Sequence, residues 1–141
     1  MDAAHLSPSG NNLPSREFIL VTDRDKLGRL SQSTPFVPWL ESAAVAFTVT
    51  GRTDVSKYWL QDASIACGFI WLTAVELGLG AAFGEIYHAE DAEESARREN
   101  IVRKTMLIPD DRRVVAILGL GYPEKQPPPK KPMFIHYGQF F

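Results

Sequence analysis

The longest structural signal in the sequence lies in residues 56–80 and places the strongest constraint on the fold. It predicts a long helix that has Ser56 as its N-cap and ends at Gly78. Between Ala63 and Leu77, apolar residues occupy almost every face of this helix. A helix that is hydrophobic all round belongs at the centre of a fold or at an interface. The rest of the chain is therefore expected to pack around it.

Composition and charge indicate one soluble globular domain. The chain has 141 residues, of which 45% are hydrophobic and 23% are charged, enough for a real core. We interpret residues 1–141 as a single domain, in which residues 124–141 form an extended C-terminal arm. The net charge of −2 gives no indication of the basic face that nucleic-acid-binding proteins carry, so nucleic-acid binding is not favoured.

Cysteine content and the start of the chain bear on location. Cys67 is the single cysteine, which excludes an internal disulfide and fits a reducing compartment. No charged region followed by an apolar stretch opens the chain, and polar residues and glycines interrupt the apolar segment 63–79. We therefore predict a cytoplasmic protein without a membrane span.

The remaining elements mix strands and helices without a βαβ alternation, which favours an α+β fold. The pattern predicts three strands, from Glu17 to Thr22, from Ala43 to Thr50 and from Arg113 to Leu118. Asp23 is placed to cap a short helix. A surface helix is predicted within residues 88–107, where acids come early and bases late, as suits the helix dipole. Its inward stripe is expected to comprise Ile101, Val102, Met106 and Leu107.

The C-terminal arm combines a proline run with large apolar residues. Pro127 to Pro129 is interpreted as a stiff spacer, with an SH3-type ligand as the alternative. The segment from Met133 to Phe141 holds six large apolar residues, which is poor composition for a disordered end. We expect another subunit to cover it.

Several common chemistries find no support in the sequence. His5, His88 and His136 are far apart and none has a metal-ligand spacing with Cys67, so a zinc site is not favoured. Neither a G-x-S-x-G motif nor a dinucleotide or P-loop fingerprint is present. Any cofactor must be held in another way.

Four segments of the chain, in order, resemble the nitroreductase family of flavin enzymes. The family motif A-P-S-x-x-N-x-Q-P-W is matched by Ser7, Pro8, Ser9, Gly10 and Asn12. An Asp-led helix running into G-L-G is matched from Asp62 to Gly80. The aromatic segment that follows is matched by AAFGEIY, and the closing G-Y-P with basic residues is matched by residues 121–123 with Lys130 and Lys131.

The resemblance implies a mostly antiparallel sheet flanked by helices, with the long helix buried at the centre. It also implies a homodimer with FMN at the subunit interface, and ping-pong transfer of hydride from NADH or NADPH through the flavin to an electron-poor acceptor such as a nitroaromatic or a quinone. No catalytic side chain is assigned, because the cofactor carries the chemistry. The implied cofactor-binding residues are Pro8, Ser9, Gly10, Asn12, Phe83, Gly84, Glu85, Lys130 and Lys131.

These residues have distinct implied roles. Glycine and serine in the loop would let backbone N–H groups approach a flat ring, and Asn12 would offer both donor and acceptor to its pyrimidine edge. The backbone of Phe83, Gly84 and Glu85 would pass the flavin N5, with Gly84 interpreted as a loop glycine. One of the two lysines would bind the flavin phosphate as a point charge.

The sequence also departs from the family pattern. Residues 13–16 stand where the family often has x-Q-P-W, which removes a glutamine amide. The arginine- and serine-rich segment that grips the flavin phosphate in the family has no counterpart in the sequence as given, so we expect FMN uptake only at micromolar or higher concentration.

Simpler interpretations remain for several residues. Loop residues 9–12 could form an ordinary helix-to-strand connection, and Gly78 and Gly80 could serve only to end a helix. We interpret Asp62 as a partly exposed helix acid, Trp71 as a core aromatic and Cys67 as a small core residue. The alternative functions are a flavin- or tetrapyrrole-like ligand-binding protein without turnover, and a structural partner of a full-length relative.

Overall fold

The fold is a four-stranded antiparallel sheet with helices on both faces, as seen in a computed structural model that describes residues 1–125 and 127–131. The strand order is β1-β2-β4-β3. The strands are β1 (Arg16–Val21), β2 (Val45–Gly51), β3 (Gly80–Glu85) and β4 (Arg113–Gly121). The helices are α1 (Asp2–Leu6), α2 (Arg24–Leu30), α3 (Trp59–Glu76) and α4 (Ala92–Met106). Short 3₁₀ turns occur at Gly10–Asn12 and Pro38–Glu41. The predicted α+β class and antiparallel sheet are confirmed.

The central strands are β2 and β4, and their side chains are buried on both faces of the sheet. Phe47 pairs with Leu118 and Val49 with Ala116, and a β-bulge follows Val49. The strand predicted from Arg113 to Leu118 corresponds to β4 and is longer than expected, since β4 continues to Gly121. This strand is the fourth along the chain and not the third, because β3 precedes it.

The sequence pattern missed β3. Its residues, GAAFGE, have low intrinsic strand preference, and strand preference depends strongly on packing and on the neighbouring strand. All six residues pair with β4, from Gly80 opposite Gly121 to Glu85 opposite Ala116. The exposed edge of β4 thus supplies the partner that makes this segment a strand.

Two hydrophobic clusters cover the two faces of the sheet. One cluster joins α3 to the sheet and contains Phe47, Ile70 and Leu118. The other joins α2 and α4 to the opposite face and contains Leu27, Val102 and Ile117. Burial of the apolar side chains on both faces provides the main driving force for folding.

The long helix α3 is buried on one face and exposed on the other. Ala63, Ala66, Cys67, Ile70 and Ala74 pack against the sheet. The interpretation of Trp71 as a core aromatic is wrong, because its side chain is 38% exposed. The large apolar residues on the exposed face are Ile65, Phe69, Trp71, Leu72 and Val75, and Leu77, the C-cap residue that follows the helix, is also exposed. Within residues 1–125 and 127–131, no helix is long and apolar enough to cross a membrane.

The helix boundaries follow local capping. The predicted cap at Asp23 is confirmed, since its Oδ1 accepts a hydrogen bond from the Lys26 N–H at 2.9 Å. Ser56 is not the N-cap of α3: its hydroxyl accepts from the Tyr58 N–H at 3.0 Å, and the helix begins at Trp59. In α4, Val102 is buried as expected, whereas Leu107 caps the helix in a left-handed conformation and is exposed.

A buried carboxylate anchors the start of β4 to α4. Glu99 accepts hydrogen bonds from Arg113 Nη2 at 2.6 Å, from the Val114 N–H at 2.9 Å and from Ser95 Oγ at 3.0 Å. Burial raises the pKa of Glu99, but the bonds from Arg113 and Val114 outweigh burial and hold that pKa below its ordinary value. The side chain therefore remains ionised and keeps the strand in place.

Gly84 lies in a strand and not on a loop, so its interpretation as a loop glycine is wrong. It pairs with Ile117 and is buried. A Cβ atom at this position would lie 2.4 Å from Val37 Cγ1 and 3.4 Å from the Trp39 ring. Because glycine has no side chain, this position leaves room for Val37 and Trp39, which pack on the sheet face opposite α3.

We predict that Gly84→Ala destabilises the fold by about 1–3 kcal/mol, because the new methyl group must displace a packed valine. Urea unfolding measures the change. Gly28→Ala is the matched control, since no atom lies within 4 Å of its missing Cβ in α2, and it should stabilise by about 0.5–1 kcal/mol. Equal stability of the two variants would contradict the packing argument.

Candidate functional site

The N-terminal loop between α1 and β1 holds the first group of expected site residues. Ser7 ends α1 and donates a hydrogen bond through Oγ to the Ala4 carbonyl at 2.7 Å. Asn11 and Asn12 adopt left-handed conformations, with φ of 54° and 56°. Asparagine tolerates this region better than most residues, which explains the pair at a tight turn. The turn leaves both asparagines exposed.

Asp62 fixes this loop to the first turns of α3. Its Oδ1 accepts from the Gly10 N–H at 2.8 Å, and its Oδ2 accepts from Ser15 Oγ at 2.5 Å. The residue is 2% exposed, so the interpretation as a partly exposed acid is wrong. The sequence did contain a signal for this burial: Asp62 is an acid in the first turn of an otherwise apolar helix, and a loop rich in hydrogen-bond donors occurs elsewhere in the chain.

Gly10 packs against α3, and its backbone donor is already used. A Cβ atom at this position would lie 2.2 Å from Tyr58 Cδ2, so no side chain can be accommodated. Its N–H donates to Asp62. Gly10 therefore helps to hold the loop against α3. The polar groups that the loop leaves exposed belong to residues next to Gly10.

A polar pocket of about 180 Å³ opens beside the loop. Ser9 and Asn12 line it, as the resemblance leads one to expect, together with His5, Arg16 and Phe18. The His5 and Phe18 rings meet edge to face, with centroids 5.2 Å apart. Sequence reasoning missed Arg16, which stands in the part of the motif that departs from the family pattern.

The second group of expected residues lies at the end of β3. The side chains of Phe83 and Glu85 are exposed, Phe83 by 47%. Arg98 of α4 donates from Nη1 to the Glu85 carbonyl at 3.4 Å and fixes this end of the strand. Because β3 is an edge strand, alternate backbone N–H groups point away from β4.

The two groups lie at opposite edges of the sheet. The loop leads into β1, whereas Phe83 and Glu85 belong to β3, and β2 and β4 lie between these strands. Neighbouring strands are about 4.8 Å apart, so the two edges are separated by about 14 Å within one chain. Lys130 and Lys131 are exposed on the segment after β4. The expected tail contact, from Met133 to Phe141, lies outside the described residues.

Cys67 is a core residue, as predicted. It packs in the cluster between α3 and the sheet. Burial raises the pKa of its thiol to about 12. A thiol with so high a pKa is protonated at neutral pH and does not act as a nucleophile.

The comparisons with known proteins agree with this fold. No family model matches the chain. A protein of Archaeoglobus fulgidus named NADH dehydrogenase/NAD(P)H nitroreductase is 33% identical over 130 residues, which cover 89% of this chain and 71% of that protein. A crystal structure bearing the same name, from Bacteroides thetaiotaomicron, has a TM-score of 0.86 and 32% identity, covering 99% of this chain and 81% of that one.

The name of a third similar structure includes a cofactor. An FMN-dependent nitroreductase of Clostridium difficile has a TM-score of 0.83 and 29% identity, and the match covers 99% of this chain and 84% of that one. The chain described above belongs to the nitroreductase family. It is a nitroreductase-like oxidoreductase.

We predict that Asp62→Ala destabilises the fold by about 1–3 kcal/mol, because it leaves the Gly10 N–H and the Ser15 hydroxyl without their acceptor. Hydrogen exchange at the Gly10 amide should accelerate at the same time. Asp62→Asn should recover part of both effects, since its amide can accept from Gly10 and donate to Ser15 Oγ.

Glu76→Ala serves as the control for this substitution. Glu76 is an exposed acid near the other end of the same helix. It should leave the exchange rate of Gly10 unchanged. If Asp62→Ala behaves like Glu76→Ala in the exchange experiment, the loop does not depend on this carboxylate.

Proposed function

We propose that the protein is an FMN-dependent oxidoreductase that uses NADH or NADPH to reduce an electron-poor acceptor such as a nitroaromatic or a quinone. The observation that carries the proposal is the match of 99% of this chain, at a TM-score of 0.83, to a structure named as an FMN-dependent nitroreductase. When bound, FMN supplies the hydride and electron transfer, so the chain itself has to bind, orient and shield it.

The residues of the site fit a flavin at some positions and not at others. Asn12 and Ser9 line a polar pocket, and the asparagine amide offers both a donor and an acceptor. The open edge of β3 offers backbone N–H groups beside the exposed Phe83 ring, which suits a flat ligand. Gly10 and Gly84 do not fit as points of close approach, because Tyr58 and Val37 fill the space beside them.

A second copy of the chain would unite the two edges of the sheet. The exposed face of α3 carries five large apolar residues, which is unusual for a monomer. Packing of two copies through this face about a two-fold axis would bury these residues and let the β1 side of one copy approach the β3 side of the other. A homodimer of this kind would hold each FMN between the loop of one subunit and β3 of its partner.

In the proposed dimer, each part of the site has a specific role in binding FMN. The loop would orient the ring of the cofactor through Asn12, while Asp62 keeps the loop in place from below. The β3 edge would present backbone donors where negative charge develops on reduction. Lys130 or Lys131 would bind the phosphate. The apolar α3 faces would exclude water from the interface.

The first test is a fluorescence titration with FMN, followed by assays of NADH and NADPH oxidation with a nitroaromatic acceptor. We expect saturable binding and acceptor-dependent oxidation. Asn12→Ala should weaken FMN binding by about two- to tenfold, the effect of one lost hydrogen bond of about 0.5–1.5 kcal/mol.

Two controls sharpen this titration. Asn100→Ala removes an exposed asparagine from α4 and should leave FMN binding unchanged. Binding of FMN without oxidation of either nucleotide would favour the non-catalytic ligand-binding alternative. An absence of FMN binding would reject the proposed function and favour the structural role.

We further predict that Leu72→Glu converts a dimer to a monomer in light scattering. Leu72 is 68% exposed at the apolar face of α3, and a charge at the centre of an obligate interface is costly. The same variant should lose FMN affinity, because one chain alone would offer only part of the site. Lys104→Glu, at an exposed position of α4, should stay dimeric. A wild-type protein that is monomeric and folded at micromolar concentration would refute the shared site.

A further inference from the structure

Arg16 presents a fixed guanidinium at the loop pocket. Its Nε and Nη2 donate to Ser7 Oγ at 3.2 and 3.0 Å, and Nη2 also donates to the Ser7 carbonyl. Ser7 is itself buried and bonded to Ala4. One edge of the guanidinium is thereby held in place, while Nη1 has no hydrogen-bond partner among residues 1–125 and 127–131.

The charge of Arg16 is not matched by a carboxylate in the part of the chain that the structure describes. Its protein partners are neutral oxygens of Ser7. Two arginines near the start of β4 contrast with Arg16, since Arg112 pairs with Glu17 and Arg113 with Glu99. An arginine guanidinium keeps its charge throughout the physiological pH range, so Arg16 retains the capacity to bind an anion.

The surroundings of Arg16 suit an anion more than a cation. The described residues that line the pocket include no aspartate or glutamate. Ser9, Asn12 and His5 bring polar groups to the same space, and the His5 and Phe18 rings, packed edge to face, line one side of it. A fixed guanidinium that keeps Nη1 for a ligand, beside other polar groups, suits the oxygens of a carboxylate or a phosphate.

We infer that Arg16 forms an oxyanion-binding subsite in this pocket, which takes a carboxylate or phosphate group. The inference deepens the proposed function and rests on it for the source of the anion. Two sources share the chemistry: the phosphate of FMN and an acid group on the acceptor. In the first case Arg16 binds the phosphate in place of Lys130 or Lys131, and Asn12 lies at the phosphate end of FMN and not at its ring. In the second case FMN binds as proposed above, and Arg16 determines acceptor specificity in favour of acidic substrates.

Protection of Arg16 from phenylglyoxal, followed by mass spectrometry, tests the subsite directly. The probes are inorganic phosphate, FMN paired with riboflavin, and 4-nitrobenzoate paired with 4-nitrobenzyl alcohol. We expect an anionic member of a pair, supplied at about ten times its dissociation constant, to slow modification of Arg16 by about tenfold through a charge-assisted contact with Nη1, and its neutral partner to have no such effect. Protection by FMN alone identifies the cofactor phosphate, and protection by 4-nitrobenzoate identifies the acceptor.

Arg24 is an internal control in the same experiment. Its guanidinium also donates to neutral oxygens, the carbonyls of Ala43 and Glu41, but it is exposed and not among the residues that line this pocket. Its modification should be the same with every probe. If Arg16 and Arg24 respond alike to all five probes, the subsite does not exist.

A substitution separates charge from structure. Arg16→Gln keeps a donor for the Ser7 carbonyl but removes the charge, and Arg16→Lys keeps the charge without the fork. Loss of about tenfold in affinity for the protecting anion in Arg16→Gln, with partial recovery in Arg16→Lys, supports the subsite. Should FMN fail to bind in the fluorescence titration, the proposed function falls, whereas protection by phosphate or 4-nitrobenzoate would still support the subsite.

Discussion

The hydrogen bonds of the buried Asp62 carboxylate support the arrangement of the candidate site. They join the Gly10 N–H and the Ser15 hydroxyl, from a loop near the start of the chain, to the first turns of α3. The same loop carries Asn12 and leads into Arg16, which both line the polar pocket. Because a buried carboxylate is costly unless it is well bonded, the loop has one favourable position on α3. That position defines which loop groups face outward.

The sheet order and the apolar face of α3 are the two features behind the proposal of a site shared by two chains. The order β1-β2-β4-β3 puts the loop edge and the Phe83 edge on opposite sides of the molecule. The helix α3, on one face of the sheet, buries mainly small residues and leaves large ones such as Phe69 and Leu72 exposed. Burial of this face in a second copy would gain hydrophobic free energy and bring the edges together in one step.

The charges of the protein serve two different purposes. Glu99 and Arg113 compensate each other where α4 meets β4, so this pair holds the fold together and leaves little charge for a ligand. Arg16 is also held rigidly, but by the neutral oxygens of Ser7. A guanidinium that is fixed without being neutralised is preorganised for an external anion, since little side-chain freedom remains to be lost on binding.

The sequence by itself determined the features that depend on local pattern: the α+β class, the long helix α3, the Asp23 cap and the core position of Cys67. The order of its short motifs also pointed to the correct family. Tertiary structure alone decided the strand state of Gly84 and the burial of Asp62. It also decided the exposure of Trp71. The reason is physical: a strand needs a partner distant in sequence, and an acid or an aromatic is buried or exposed according to which segment packs over it.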